Sequence, residues 1–417
     1  MKNEIKKEHD PYAALRIPEF RLYISFRLLL TIAIQIQGVI VGWQIYSLTK
    51  DALSLGLIGL AEAIPFMLVS LYAGHVADTV SRKKIILFSV SLFLVCSLAL
   101  LFFTINSTVF LARFGTVPVY YIIGMTGIAR GFAGPAIAAF WAQLVPREQY
   151  ANASGWSTTI WQIGAVSGPA LGGLIFGFFG ATNAYLTDAA LIVTSLFCVA
   201  FIAKKPVHLK EKKESLRTSL AAGIKFVFNN QIILGALSLD LFAVLFGGAV
   251  ALLPIFAAEI LNAGPQGLGL LKAAPSLGAV LMALYITHRP PMQKAGRNLL
   301  FAVAGFGICM IVFALSKNFY FSFFILALSG ALDNVSVVVR TTIIQLLTPD
   351  EMRGRVASVN SIFIGSSNEI GEFESGLAAR FLGLIPSVIF GGLMTLGVVG
   401  ITAKKAKKLA LLDLTKI

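Results

Sequence analysis

Gly74-His-Val-Ala-Asp78-Thr-Val-Ser-Arg82-Lys83 is a short polar interruption between two apolar stretches, roughly 53–76 and 85–104. A bilayer core takes about 20 apolar residues per helix, so both flanks are long enough to cross one. The interruption has an order of its own: a glycine, an acid four residues on, and a basic pair four residues after that. The glycine allows two helices to approach closely. The aspartate can hold an arginine or a helix end. A charge latch of this kind favours one arrangement of two packed bundles over another. The simpler reading is a basic loop that marks the inner face of a membrane.

The same alternation runs through the chain. Twelve apolar stretches are read, at roughly 22–48, 53–76, 85–104, 116–144, 153–178, 182–203, 231–258, 265–287, 298–315, 319–346, 356–379 and 383–403. The first is too long for a cleaved leader, lacks an obvious small-residue cleavage site and is followed by eleven more. Of 417 residues 57% are hydrophobic and 13% charged, with a mean hydropathy of +0.82. A soluble domain carries about a quarter of its residues as charges, so a set of soluble domains is excluded, and disorder with it.

The formal charge of +14 would point to nucleic acid in a soluble protein. Its distribution points elsewhere. With the N-terminus in the cytoplasm, 26 of the 34 basic residues fall in inner segments, 4 in outer loops and 4 within spans. That bias predicts both termini inside and no nucleic-acid partner. The tail Lys404-Lys405-Ala406-Lys407-Lys408 reads as a topology signal and an anchor for anionic lipid.

The longest polar break, Lys204–Arg217, divides the spans six and six. It predicts an N-terminal six-helix bundle over 1–203, a cytoplasmic linker over 204–230 and a C-terminal bundle with a basic tail over 231–417. In the linker Leu216, Leu220, Ile224, Val227 and Phe228 recur at helical spacing, the pattern of an amphipathic surface helix. The halves echo each other: at an offset of 203 residues Gly127 meets Gly330 and Arg130 meets Asp333. Six-span repeats suggest a transporter with its site between the halves.

The ten residues that open this section resemble the loop between the second and third spans of the major facilitator superfamily, with Gly74, Asp78, Arg82 and Lys83 on its pattern. The resemblance implies an all-α membrane fold of 12 transmembrane helices in two pseudo-symmetric six-helix bundles, with these residues at the inner gate. Gly155, Gly164, Gly168, Pro169, Gly172 and Gly173 resemble the glycine-proline motif of proton-coupled exporters in that superfamily. Small residues at those spacings let helices pack closely, and the proline kinks the span. Leu15–Leu22, Gly131–Ala136, Leu332–Arg340, Leu347–Arg355 and Ser367–Gly376 are similar to the enterobactin-exporter branch, which the same resemblance links with macrolide and multidrug efflux proteins.

Charges inside spans carry the chemistry, because an ionised side chain at the bilayer centre costs about 2.5–3.5 kcal/mol on insertion scales. The acids are Glu62, Asp188, Asp240, Asp333, Glu369, Glu372 and Glu374, and the bases Arg27, Arg130, Lys272 and Arg340. Arg27, Asp188 and Lys272 lie toward span ends and read as structural or interfacial. Glu369 and Glu372, three apart, share a helix face, whereas Glu374 points elsewhere. Close carboxylates in a low dielectric do not all ionise cheaply, so this pair reads as a proton carrier; a packing network with Ser366 and Asn368 is the other reading. Arg130 matches an arginine that the resemblance associates with proton relay, or forms a permanent pair with Glu62 or Asp333. Arg340 lies two turns from Asp333 on one face. Trp43, Tyr46, Trp141, Trp156 and Trp161 fit interfacial belts or a cavity lining.

Cys96, Cys198 and Cys309 lie in apolar runs and His9, His75, His208 and His288 are scattered, so no metal site, cofactor or catalytic constellation is expected. No phosphate-binding glycine loop points to a nucleotide. The expectation is proton-driven export of a siderophore-like or drug-like organic solute from a bacterial inner membrane. Glu62, Arg130, Asp240, Asp333, Glu369 and Glu372 form the coupling and cargo set. Uptake or lipid flipping by the same fold is the alternative, with a membrane enzyme or sensor behind it.

Overall fold

The computed structural model describes residues 10–205, 216–290 and 292–416; at 71, 74, 75, 77, 78, 216–220, 350, 351, 358, 362, 366 and 416 it describes the backbone alone. His9, His208 and the charged run 210–214 lie outside the described residues, as do the side chains of His75, Asp78, Leu216, Leu220 and Ser366.

The chain is helical. In order come α1 (Pro18–Thr49), α2 (Ala52–Thr79), α3 (Arg82–Ile105), α4 (Ser107–Phe114), α5 (Val117–Phe140), α6 (Tyr150–Ala200), α7 (Leu216–Asn229) and α8 (Gln231–Gly247). Then follow α9 (Leu253–Ile255), α10 (Gly264–His288), α11 (Ala295–Leu315), α12 (Phe319–Leu347), α13 (Asp350–Leu382), α14 (Leu384–Lys405) and α15 (Lys407–Ala410). Helix ends follow local chemistry. Pro18 opens α1, where its missing N–H costs nothing. Asp51 caps α2 by accepting from the Ser54 backbone N–H at 2.9 Å.

Ten helices among the described residues are long and apolar enough to cross a membrane. Two features separate this count from the twelve stretches of the sequence. At 51 residues α6 would span about 75 Å if straight, more than twice a bilayer core. Gly180 turns it back with φ of 80°, a backbone region closed to most side chains, and thereby makes two spans of one helix. The 33-residue α13 is long enough, but its carboxylates take it out of the apolar count. Outward-facing Phe102, Tyr121, Phe178 and Phe381 belong to the apolar exterior that a bilayer would cover.

One expected span is not a single α-helix, although Gln231–Ile260 as a whole is long and apolar enough to cross a membrane. Instead of one helix over 231–258, α8 stops at Gly247, followed by a 3-10 turn, α9 and a π-turn at Phe256–Ile260. Adjacent Gly247 and Gly248 are weak helix formers, and Pro254 cannot donate to the carbonyl four residues back.

Helices α1, α2, α3, α5 and α6 pack on one another, and α8, α10, α11, α12, α13 and α14 do likewise. The two sets meet along α2–α13 and α6–α10. Their cores show how. One apolar cluster runs through both sets near the α1–α2 turn, from Ile40, Tyr46 and Tyr185 to Leu253, Leu271 and Phe313. At the other end there are two separate clusters, one around Tyr23, Phe93 and Phe140, the other around Leu239, Val339 and Leu409. The halves are joined at one end and split at the other.

The repeat predicted at an offset of 203 is visible in the packing. Gly127 of α5 sits against the Glu62 carbonyl of α2, and Gly330 of α12 sits against the Pro275 carbonyl of α10. A side chain at either position would collide with the facing backbone. The linker helix α7 packs on α13 and α8, burying Val227, while Ile224 and Phe228 stay exposed. In the tail, Lys404, Lys405, Lys407 and Lys408 point outward, while Ala406 and Leu409 anchor the segment in the core.

Candidate cargo and coupling site

The tight crossing at Gly127 sets the first element of the site. One turn further along α5, Arg130 comes alongside α2, where Glu62 Oε1 accepts from Arg130 Nη1 at 2.9 Å. The ring of Phe66, one turn past Glu62, lies 5.5 Å from the guanidinium, a cation–π distance.

The second element comes from the other set of helices. Gly365, Glu369, Glu372 and Gly376 lie at spacings of four, three and four, so they share one face of α13. That face meets α2. A methyl group at Gly376 would lie 2.7 Å from Gly56 Cα, one at Gly59 2.7 Å from Glu372 Cβ, and one at Gly365 2.8 Å from the Phe66 ring. The fit carries Glu369 to Arg130, whose Nη1 donates to Glu369 Oε1 at 2.7 Å. Glu369 is buried, whereas the Arg130 side chain is 44% exposed, so the cation faces open space between the halves. Such charge-assisted hydrogen bonds are shorter and stronger than neutral ones.

Glu372 lies against Gly59 within electrostatic reach of Glu62, Arg130 and Lys272. Lys272 departs from its expected interfacial place: Nζ crosses to α1 and donates to the Gly38 carbonyl at 2.9 Å. Tyr46 OH, also on α1, donates to the Glu259 carboxylate in the π-turn. Neither Lys272 nor Glu259 belongs to the predicted set, because nothing in their local sequence reports a contact with a helix over 200 positions away.

Asp240 and Asp333 are elsewhere. Asp240 of α8 pairs with Arg340 of α12, both buried. Asp333 lines a small pocket with Asp240, Phe306 and Ser336. Arg130 therefore has Glu62 as a partner, as one reading allowed, and no contact with its repeat counterpart Asp333. Asp188 is buried and accepts from Ser97 at 2.7 Å. Arg27 donates to the Ser157 carbonyl at 3.2 Å. Glu374 points away from the Arg130 face.

In the loop motif, Arg82 donates to the Ala139 carbonyl at 2.9 Å and Lys83 to the Ala200 carbonyl at 2.8 Å, with a second contact to the Ile202 carbonyl. Both cations sit on the carbonyl ends of α5 and α6, where cations are favoured. The Gly74 backbone lies within α2; the Asp78 side chain lies outside the described residues. The glycine-proline motif splits between two partners. Gly164, Gly168 and Gly172, four apart, pack on Thr31, Gln35 and Ile36 of α1. Gly173 meets Gly269 of α10, whose own close neighbour is the Pro169 carbonyl. Of the aromatics, Trp156 donates to the Pro11 carbonyl at 2.9 Å and Trp141 packs edge-on to Tyr150.

A family model described as transmembrane secretion effector matches residues 9–413. The enterobactin exporter EntS of Shigella dysenteriae is 26% identical over 385 residues, covering 91% of this chain and 90% of that protein. The enterobactin exporter EntS of Citrobacter koseri is 26% identical over 341 residues, covering 81% and 80%. Among solved structures, a bacterial homologue of the iron transporter ferroportin in an inward-facing state superposes with a TM-score of 0.73 at 19% identity, covering 95% of this chain and 99% of that one. The POT family transporter PepTSo superposes with a TM-score of 0.73 at 13% identity, covering 94% and 98%. At these identities the structures speak for the fold.

Proposed function

The chain belongs to the transmembrane secretion effector family of major facilitator transporters, multi-pass membrane proteins rather than enzymes, and from that membership we propose a proton-coupled exporter of a siderophore-like or drug-like organic solute. The observation that carries the proposal is the bridge from Glu62 through Arg130 to Glu369, made across the two halves.

The bridge lies on the same α2–α13 face as the Gly56–Gly376 seam that closes the joined end. Opening that end must draw α13 from α2 and part Glu369 from Arg130. An ionised Glu369 opposes the separation; a protonated one removes most of the attraction. Proton arrival thus weights the equilibrium between the two arrangements, as a differential interaction must. Glu372, one turn along and packed on Gly59, is the second carboxylate in the relay. Asp333, on a small pocket beside the buried Asp240–Arg340 pair, completes the acidic coupling set in the C-terminal half. Arg82 and Lys83 tie helix ends within the first half, so that it moves as a unit beside an inner gate at Gly74 and Asp78.

The split end carries the basic loops, which by the positive-inside rule lie in the cytoplasm of a bacterial inner membrane together with both termini. Cargo then enters from the cytoplasm and leaves through the joined end as protons come in. The lysine tail sits where anionic lipid headgroups can meet it. The family description and the exporter relatives support this direction.

The test is flux in proteoliposomes under an imposed pH gradient, with enterobactin and a cationic dye as the two cargo probes. Concentrative movement should stop when an ionophore collapses the gradient. Movement that persists unchanged rules out proton exchange.

A further inference from the structure

The two central cations are used differently. Arg130 is held by two carboxylates, one from each half, on the same nitrogen. Lys272 has no carboxylate of the described residues within ion-pair distance, and among those residues Gly38 O is the one hydrogen-bond acceptor of its Nζ. An ammonium carries three donors, so two remain for something other than the described protein groups.

The place suits a ligand. Lys272 is on α10, three residues past Gly269, where α10 and α6 touch backbone to backbone. That contact aims the lysine at α1 of the opposite half. There α1 carries two glycines one turn apart: Gly42 is buried, and a methyl group on it would lie 3.5 Å from Pro254 and 3.7 Å from Nζ. Gly38 is exposed, and a methyl group there would meet no atom within 4 Å. The ammonium therefore rests on a helix backbone beside free space between the halves. Glu372 is within electrostatic reach but makes no closed pair with it.

We propose that Lys272 is the anion-binding group of the cargo site, taking a carboxylate, phenolate or sulfonate oxygen of the cargo against the open α1 backbone at Gly38. The proposal rests on the transport reading above and adds the chemical class of the cargo: an organic molecule with an anionic oxygen group. Glu372 competes with that group for the same ammonium.

Two measurements test this. In a background with Cys96, Cys198 and Cys309 replaced by alanine, Gly38→Cys is labelled with an anionic (sulfonatoethyl) and a cationic (trimethylammonioethyl) methanethiosulfonate. The ratio of the two rates cancels any change in thiol ionisation. The expected result is preference for the anion, with the ratio falling about tenfold on Lys272→Gln and holding with Lys272→Arg. If Lys272→Gln does not fold, Lys272→Met keeps the stem and serves instead. An unmoved ratio, or a cysteine that neither reagent reaches, overturns the proposal. Proteoliposome flux of fluorescein and of rhodamine 123, an anion and a cation on one ring system, is the second measurement. Lys272→Gln should lower fluorescein flux about tenfold and leave rhodamine flux within about twofold. Equal loss of both, or loss of neither, overturns the proposal. The labelling ratio needs no gradient, so it can fail while proton-driven export stands, and the reverse.

Discussion

Arg130 Nη1 lies 2.7 Å from Glu369 Oε1, a contact between α5 of one half and α13 of the other. The same nitrogen lies 2.9 Å from Glu62 Oε1. A single guanidinium thus ties a neighbour within its own half to a partner across the seam, so a change in the charge of Glu369 bears on how the halves sit.

Glu369→Gln is expected to cut gradient-driven flux at least about tenfold while the protein still folds. The amide keeps the shape and one hydrogen bond to Arg130 but loses the charge. Size-exclusion behaviour and flux, read together, check this. Combining Arg130→Glu with Glu369→Arg should recover part of the flux lost in either single variant, because it restores the pair with its sign reversed.

Glu372→Gln separates coupling from cargo exchange. Counterflow of cargo at equal pH on both sides should continue, while concentrative flux under a pH gradient should fall. Wild-type gradient dependence in this variant would remove Glu372 from the relay.

Gly376→Val and Gly173→Leu place side chains where backbones now touch, at 2.7 Å from Gly56 Cα and from Gly269 Cα. Each should wedge the joined end. The expected readout is faster labelling of a cysteine at Ser375 and loss of vectorial transport. Gly155→Ala is the control, since a methyl group there meets no atom within 4 Å.

Asp240 and Arg340 are both buried, and each is the other's ion partner. Removing one charge strands the other, a loss of about 3–5 kcal/mol for a buried pair. Asp240→Asn and Arg340→Gln should each lower the melting temperature in detergent, and the double variant should lose less than the sum. Strict additivity would show that the pair is not coupled.

Much of the architecture is legible in the amino-acid order. The twelve apolar stretches, the polar break near 204 and the Gly127–Gly330 correspondence all follow from hydropathy and spacing. Each residue's preference for lipid or water is its own property, and neighbours along the chain add to it locally. The same local logic places Glu369 and Glu372 on one helix face and Glu374 off it.

Local logic stops where a helix ends or a charge finds its partner. Gly247, Gly248 and Pro254 carry a weak signal that α8 ends early, submerged in an unbroken apolar run. Arg130 and Glu369 are 239 positions apart, and no periodicity measures that separation. Their contact exists because glycines on α2, α5 and α13 let three backbones close to within a side chain's reach. Repeat symmetry even points the wrong way, pairing Arg130 with Asp333. Lys272 makes the point most sharply: its depth along α10 suggested the interface, and the crossing with α6 turned it toward the centre. Hydropathy therefore specifies which segments are long and apolar enough to enter a membrane. Only the packing of the two halves decides which of the buried charges meet, because the energy of a charge in lipid depends on what stands within a few ångströms of it.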